Sequence, residues 1–419
     1  MTSRLVSEFS GVYAVNKYAI HRTFCGEYFV FAASTATIAA IIAENMHYIY
    51  EDPDWPKLRW NDAKLSSLLA EVRHRQGRLL GRMEGLGFRL RVEATLTTLT
   101  SDVIKSSAIE GERLDANEVR SSIARRLGLD FGATKAASRD VEGVVEMMLD
   151  ATQKYAEPLT AERLFAWHAS LFPAGRSGMR KITVGAWRPA EVGAMQVVSG
   201  PIGKELVHFE APPADKLADE MAEFLEWFAN ENRIDPVMKA GVAHFWFVTL
   251  HPFEDGNGRI GRAIADMTLA RAEGTAQRFY SMSAQIEVER KEYYLHLERS
   301  QRGDTDITTW LEWFLQCLGR AVGRAEEALA SILRKAKIWE RINQAAVNER
   351  QRKVINRLLE GFEGKLSTSK YAKLAKCSAD TALRDIKNLL ERGVLIQDEG
   401  GGRNTSYHLA ELEEPPHPL

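Results

Sequence analysis

"HPFEDGNGRIGR", residues 251–262, places one histidine, two carboxylates, three glycines, an asparagine and two arginines in twelve consecutive positions. The stretch leading into it, "VAHFWFVTLHPF", reads as an apolar helix that stops near His251, because Pro252 disfavours helical backbone in the residue before it. "DGNG" then supplies pliable backbone, and "RIGRAIADMTLARA" opens a second helix. A Gly-rich turn running into a helix N-terminus aims several N–H groups at one spot, which makes an anion site. Arg259 and Arg262, three residues apart, share a helix face. Their planar forks match the oxygens of two phosphates of one polyphosphate. Asp255 is the carboxylate placed to hold Mg²⁺, the ion that nucleotide polyphosphates carry. His251, at the exit of the first helix, has the position of a base whose neutral imidazole accepts a proton from an attacking hydroxyl near pH 7. A lone histidine or a lone glycine-rich loop is more often a capping turn. Here the functional groups converge in one run, which packing alone does not explain.

The bulk properties set bounds around that site. A chain of 419 residues holds two or three domains. A net charge of -2 with 45% hydrophobic residues describes an ordinary soluble protein, with no chain-wide basic excess pointing to nucleic acid. Cys25, Cys317 and Cys377 lie too far apart in sequence for a disulfide framework or a metal-spaced pair, so the expected compartment is a reducing cytoplasm. The apolar run Tyr28 to Ala43 admits a signal segment, a short membrane segment or a buried helix. It is short for a span, which needs about 20 residues, and it lacks the flanks of a signal peptide. A fourth reading makes Met46 the true start and residues 1–45 a non-native extension.

From Met46 onward the pattern is mainly helical. Leu65, Leu68, Leu69, Val72, Leu79 and Leu80 recur at helical intervals, and similar stripes run through Thr95 to Ile109, Val141 to Leu149, Arg163 to Leu171, Leu217 to Phe228 and Val237 to Leu250. Ile182 to Pro213 breaks the rhythm with Gly and Pro punctuation and short β-prone runs, which predicts a small hairpin. The charged helix Arg320 to Arg341 reads as a connector to a separate C-terminal unit.

The opening stretch matches every fixed position of HxFx(D/E)GNGRxxR, so the chain resembles the Fic-domain protein adenylyltransferases. The resemblance implies a mainly α fold: a Fic helical core at 91–325, a β-hairpin flap, an N-terminal helical domain at 46–90 and a winged helix-turn-helix at 345–410. It implies transfer of AMP from ATP, with Mg²⁺, to a Tyr, Thr or Ser hydroxyl of a target protein or of the chain itself, with release of pyrophosphate. By matching position His251 is the base, Phe253 a buried anchor of the loop, and Asp255 the Mg²⁺ ligand. Gly256, Asn257 and Gly258 form the phosphate nest, and Arg259 and Arg262 take the β and γ phosphates. Doc-like relatives that phosphorylate carry Lys where Gly258 stands, so the glycine favours AMP transfer. The Ile182 to Pro213 segment corresponds to the flap, which holds a target segment by strand addition; a plain loop cover is the other reading.

"SSAIEG", Ser106 to Gly111, resembles the family's inhibitory motif (S/T)xxxE(G/N), on a helix at about 101–112. Ser106, Glu110 and Gly111 occupy its fixed places, and the resemblance implies that Glu110 pairs with Arg262 and blocks seating of the γ-phosphate. Tyr293 and Tyr294, in a stretch that also resembles the family, are candidates to flank the adenine or ribose, although aromatics at helical spacing are as readily core.

The C-terminal unit, with Ser378 capping its third helix and "DEGGGRNTSY" as the wing, resembles a winged helix-turn-helix. Residues 350–408 hold twelve basic and seven acidic residues, a net of +5. Thr381, Arg384 and Lys387 face the groove if that helix reads DNA, and a protein-interaction winged helix is the alternative. Two rival functions remain: AMP removal, with Glu110 positioning water, and a DNA-binding regulator that uses the core as a nucleotide sensor. The partners implied are a target protein, DNA through the winged helix and a second copy in a homodimer, with no membrane.

Overall fold

The computed structural model describes residues 13–16, 47–129, 136–199, 206–343, 347–359, 362, 364–398 and 405–410. The readings placed on Tyr28 to Ala43 and on a start at Met46 fall outside these residues, as do the tip of the flap and most of the wing. The chain divides into two compact units, Met1–Ala325 and Glu326–Leu419.

The first unit runs β1 (Tyr13–Asn16), α1 (Asp62–Glu84), α2 (Phe88–Ile109), α3 (Ala116–Arg126), α4 (Arg139–Gln153), α5 (Ala161–Leu171), β2 (Arg176–Ser177) and β3 (Arg180–Lys181). It continues with β4 (Met195–Ser199), β5 (Leu206–Glu210), α6 (Leu217–Asn230), α7 (Pro236–Leu250), α8 (Asn257–Glu273), α9 (Met282–Val288), α10 (Arg290–Ser300) and the first part of α11 (Thr308–Asn343), whose residues from Glu326 onward fall in the second unit. The fold is mostly helical, as the periodicity predicts.

At its centre lies the helical hairpin α7–α8. Every residue from Val237 to Leu250 is buried, which is what a helix apolar on all sides requires. Asp235 starts α7 by accepting from the Val237 N–H at 2.8 Å, with Pro236 in the first turn, where its missing N–H costs nothing. Trp310 of α11 donates its indole N–H to the Gly241 carbonyl at 2.9 Å, fixing α11 against α7. Helices α2, α4 and α5 pack on α8, and α6 packs on α7.

The expected hairpin within Ile182 to Pro213 is β4–β5, antiparallel with an irregularity between Val197 and Val198. Strand β1 pairs with the other edge of β4, Tyr13 opposite Val198, giving the order β1-β4-β5. A second hairpin, β2–β3, lies just before the flap where no strand was expected. Among the described residues no helix is long and apolar enough to cross a membrane.

The second unit holds α12 (Glu349–Leu359), α13 (Thr368–Ala375), α14 (Ala379–Glu391), β6 (Leu395–Gln397) and β7 (Tyr407–Leu409). Ser378 caps α14, its Oγ accepting from the Thr381 N–H at 3.3 Å. Val354, Ile355, Tyr371, Ile386 and Leu389 make a core of its own, closed by the antiparallel β6–β7 pair.

Candidate active site

The site lies on the His251 to Gly258 connection, and local chemistry holds each part of that loop. His251 ends α7 in the left-handed conformation at φ 50°. This is uncommon for a non-glycine residue, although histidine is among those enriched there. Its Nδ1 faces the Val248 carbonyl, 3.4 Å away, so Nδ1 donates and Nε2 keeps the free lone pair. Burial, with the nearby Arg188 charge, lowers the His251 pKa to about 4. The ring is therefore neutral at pH 7, as a base must be.

Arg188 clamps the loop from outside. Its Nε donates to the His251 carbonyl at 2.9 Å, its Nη2 to the Pro212 carbonyl, and its backbone N–H to the Pro252 carbonyl at 2.9 Å. Phe253 is fully buried as the loop's anchor, with its ring stacked on His168 at 4.2 Å and 8°. Asn257 locks the same turn, accepting from the Phe253 N–H at 2.9 Å and donating to its carbonyl at 2.8 Å. The Asn257 side chain is thus spent on the loop, and what this residue offers an anion is its backbone at the start of α8.

Asp255 accepts from the Gly256 N–H at 2.6 Å, and its other oxygen accepts from Ser177 Oγ on the β2–β3 hairpin. It is a single carboxylate, and among the described residues no group of three or more His, Cys, Asp and Glu gathers. One carboxylate suits Mg²⁺, which keeps phosphate oxygens and water as its other ligands.

Both arginines meet acids from the turn that ends α2. Arg262 is 2% exposed and donates Nη2 to Glu110 Oε1 at 2.8 Å and to the Ser106 carbonyl at 2.9 Å, with its Nε on Ser106 Oγ at 2.9 Å. Arg259 donates Nη1 to Glu112 Oε2 at 2.6 Å and lies 5.2 Å over the Phe172 ring. Burial raises the Glu112 pKa, against the pull of Arg259. The turn is a Schellman cap. The Glu112 N–H bonds the Ser107 carbonyl at 3.0 Å, the Gly111 N–H bonds the Ala108 carbonyl at 3.0 Å, and Gly111 between them stands at φ 86°. Only glycine takes that conformation without strain, which explains the glycine after Glu110.

The Glu110 carboxylate lies at the N-terminus of α8, the end that attracts anions. A Cβ on Gly258 would meet Glu110 Oε1 at 2.2 Å, so glycine at 258 is a condition of this contact. Three buried polar atoms close to this contact have no hydrogen-bond partner: Arg259 Nε, Arg262 Nη1 and the Tyr294 hydroxyl. Idle donors on both arginines fit a ligand with more oxygens than the two carboxylates provide.

Tyr293 has the core place that helical spacing allowed it. It is 2% exposed among Trp310, Trp313 and Tyr294, and its hydroxyl is 2.9 Å from His244 Nε2. It is a core residue behind Arg262. Arg188, Ser177, His168 and Glu112 escaped the sequence reading. Of these only Glu112 left a signal, a second acid two residues from Glu110.

Fold and site together define a mainly helical protein whose central helical hairpin presents an anion cradle with an acidic turn across it. The Fic/DOC family model matches residues 158–269, and the chain carries a Fic domain there. A domain of unknown function, DUF4172, matches residues 48–129. The turn that carries Glu110 and Glu112 falls in the DUF4172 match and the arginines it engages fall in the Fic match. A protein adenylyltransferase of Caenorhabditis briggsae is 28% identical over 128 residues, 30% of this chain and 23% of that protein. One from Drosophila mojavensis is 27% identical over 217 residues, 51% of this chain and 39% of that protein. The chain thus spans less than half the length of these relatives. A solved Fic family protein from Desulfovibrio desulfuricans G20 aligns at 23% identity and TM-score 0.47, over 84% of this chain and 97% of that one.

Proposed function

We propose that the chain transfers AMP from ATP to a hydroxyl side chain of a target protein and of itself, and that Glu110 holds the resting enzyme off. The reading rests on one observation: the Arg262–Glu110 ion pair at 2.8 Å, which places a carboxylate at the helix N-terminus where a phosphate group would lie. His251 Nε2 takes the proton of the attacking hydroxyl as it adds to the α-phosphorus, and pyrophosphate leaves. The first turn of α8 with Arg259 and Arg262 binds the departing phosphates, and Arg188 holds the base in place. Asp255 would hold Mg²⁺, which when bound offsets charge on the phosphate oxygens. The edge of the flap aligns the target backbone.

Incubation with α-labelled and γ-labelled ATP tests the reading. Label from the α position should appear on protein, strongly in Glu110→Gly and not in His251→Ala. Label from the γ position only, or equal labelling of His251→Ala, would overturn it.

The second unit supports a further activity, duplex DNA binding. Arg384 and Lys387 are exposed on α14, on a face they share with the exposed Asp380 and Glu391, while Asp385 turns inward to Arg350 at 2.9 Å and Asn348 at 3.0 Å, so the two basic side chains are the ones free to meet phosphate. Absence of a gel shift with duplex DNA would remove this reading, and a shift unchanged by Arg384→Ala with Lys387→Ala would take these two residues out of it.

A further inference from the structure

The inhibitory motif accounts for one acid, yet the turn carries two, and each holds a different arginine. Glu110 and Glu112 flank Gly111 on the Schellman cap, so their side chains leave the turn side by side. Arg259 and Arg262 are three apart on one face of α8 and present two guanidiniums at matching separation. The result is two parallel pairs, Glu110–Arg262 at 2.8 Å and Glu112–Arg259 at 2.6 Å.

The two pairs differ in how firmly they are held. Arg262 is also fixed by the Ser106 hydroxyl and carbonyl, whereas among the described residues Glu112 is the one carboxylate paired with Arg259, and its side chain is 48% exposed. Arg259 itself is 3% exposed, with Nε idle. A guanidinium buried this deeply has few alternatives to Glu112 other than an anion entering the cradle.

We propose that Glu112 is a second acidic guard that sets which nucleotides the resting site admits. Building on the assignment of Arg259 and Arg262 to the β and γ phosphates, Glu112 competes with a β-phosphate for Arg259 while Glu110 competes with a γ-phosphate for Arg262. The resting site then admits a nucleoside monophosphate without displacing either acid, a diphosphate only by displacing Glu112, and a triphosphate only by displacing both. Removing Glu110 alone opens one of two catches, and full opening requires the whole turn to move or both acids to be lost.

The test is binding of AMP, ADP and the non-transferable α,β-methylene analogue of ATP, with Mg²⁺, to the full chain by titration calorimetry. The variants are Glu112→Gln, Glu112→Ala, Glu110→Gly and the double variant. Because Arg259 is buried and loses its carboxylate in both, Glu112→Gln, which keeps a side-chain oxygen, should lower the melting temperature less than Glu112→Ala, and binding is compared at a temperature where every variant is folded. In the Glu112 variants ADP should bind about threefold to tenfold tighter, the range for loss of a partly exposed ion pair, with AMP within about twofold. Glu110→Gly should tighten the ATP analogue and leave ADP within about twofold. The double variant should bind the analogue tightest. If Glu110→Gly tightens the analogue but neither Glu112 variant changes ADP or analogue binding, the second guard is wrong and the proposed function stands. If no variant changes any nucleotide, the phosphate assignment of both arginines falls with it.

Discussion

Helix α8 is tied into an arginine–carboxylate system toward each end, and the two are built differently. Near its start, Arg262 is 2% exposed, but its partner Glu110 is 23% exposed and comes from a turn 152 residues away. Beyond its end, Arg278 is fully buried between Asp266 at 3.0 Å and Glu273 at 3.1 Å, and both carboxylates belong to α8. Tyr280 donates to Glu273, Gln76 of α1 donates to the Tyr280 hydroxyl at 2.9 Å, and Ser281 donates to Asp102 of α2. Burial pushes both Asp102 and Asp266 up, and Arg278 pulls against that in each. The difference is one of exchangeability. A network buried throughout gives an incoming anion no entry and fixes α1 and α2 against α8. A pair with one partner open to solvent can exchange its carboxylate for an incoming anion. The inner network anchors α2, and under the proposed function the turn at its end is the part that moves.

The largest expected effect tests the inner system. Arg278→Ala leaves two acids buried without their cation and should cost about 3–5 kcal/mol of stability, read by denaturant unfolding. A loss below about 1 kcal/mol would erase the distinction between the two ends.

At the other end the same operation should change activity more than stability. Glu110→Gly should raise self-labelling by about tenfold or more, the scale of one charge-assisted contact, at a stability cost below about 2 kcal/mol. Arg262→Ala removes the same pair yet should stay inactive, because it deletes the phosphate's partner. Adding Glu110→Gly to Arg262→Ala should rescue little, a strong non-additivity. A double variant as active as Glu110→Gly would show that Arg262 does not bind the nucleotide.

Acid should act on the buried histidines that hold the loop and the core. Burial lowers His168 to about 4 and His244 to about 3, so both are neutral in the folded protein. Below the unfolded value near 6.5 the unfolded chain binds protons that the folded chain refuses. Stability should therefore be full above about pH 7 and fall steadily between about 6.5 and 4, by on the order of 3 kcal/mol or more for each group. A melting temperature constant from pH 7 to pH 4.5 would contradict the neutral assignment.

The smallest effect concerns the residue behind the catch. Tyr293→Phe removes a hydroxyl that meets His244 at 2.9 Å and also acts on Arg262, and should cost about 1 kcal/mol, with nucleotide affinity within about twofold. A tenfold loss of affinity would place Tyr293 at the nucleotide site, as the family resemblance implies.

How much of the site was legible follows from distance along the chain. His251, Asp255, Gly258, Arg259 and Arg262 fall within one short loop and one helical turn, so their convergence follows from local geometry. Phe253 as anchor was legible through the signature that the loop resembles. Glu110 was legible only through the motif it resembles, since its partner is 152 residues away. Arg188, 63 residues before the carbonyl it clamps, and Ser177, 78 residues before the carboxylate it meets, had no pattern to announce them. Tyr293 could not be assigned from spacing, because a helix stripe looks the same whether it faces a ligand or a core.

The sequence by itself determined the helical periodicities, the loop and its charges, and the glycines that backbone conformation demands, because each depends on residues within a few positions of one another. The tertiary structure alone decided that Arg259 meets Glu112. It also decided that Asn257 is spent on its own loop, that Tyr293 lies behind the site, and that a second acid, Glu112, stands beside the first. Those outcomes depend on how α2 docks against α8, and that packing is set by the buried faces of both helices together, which no local stretch of sequence contains.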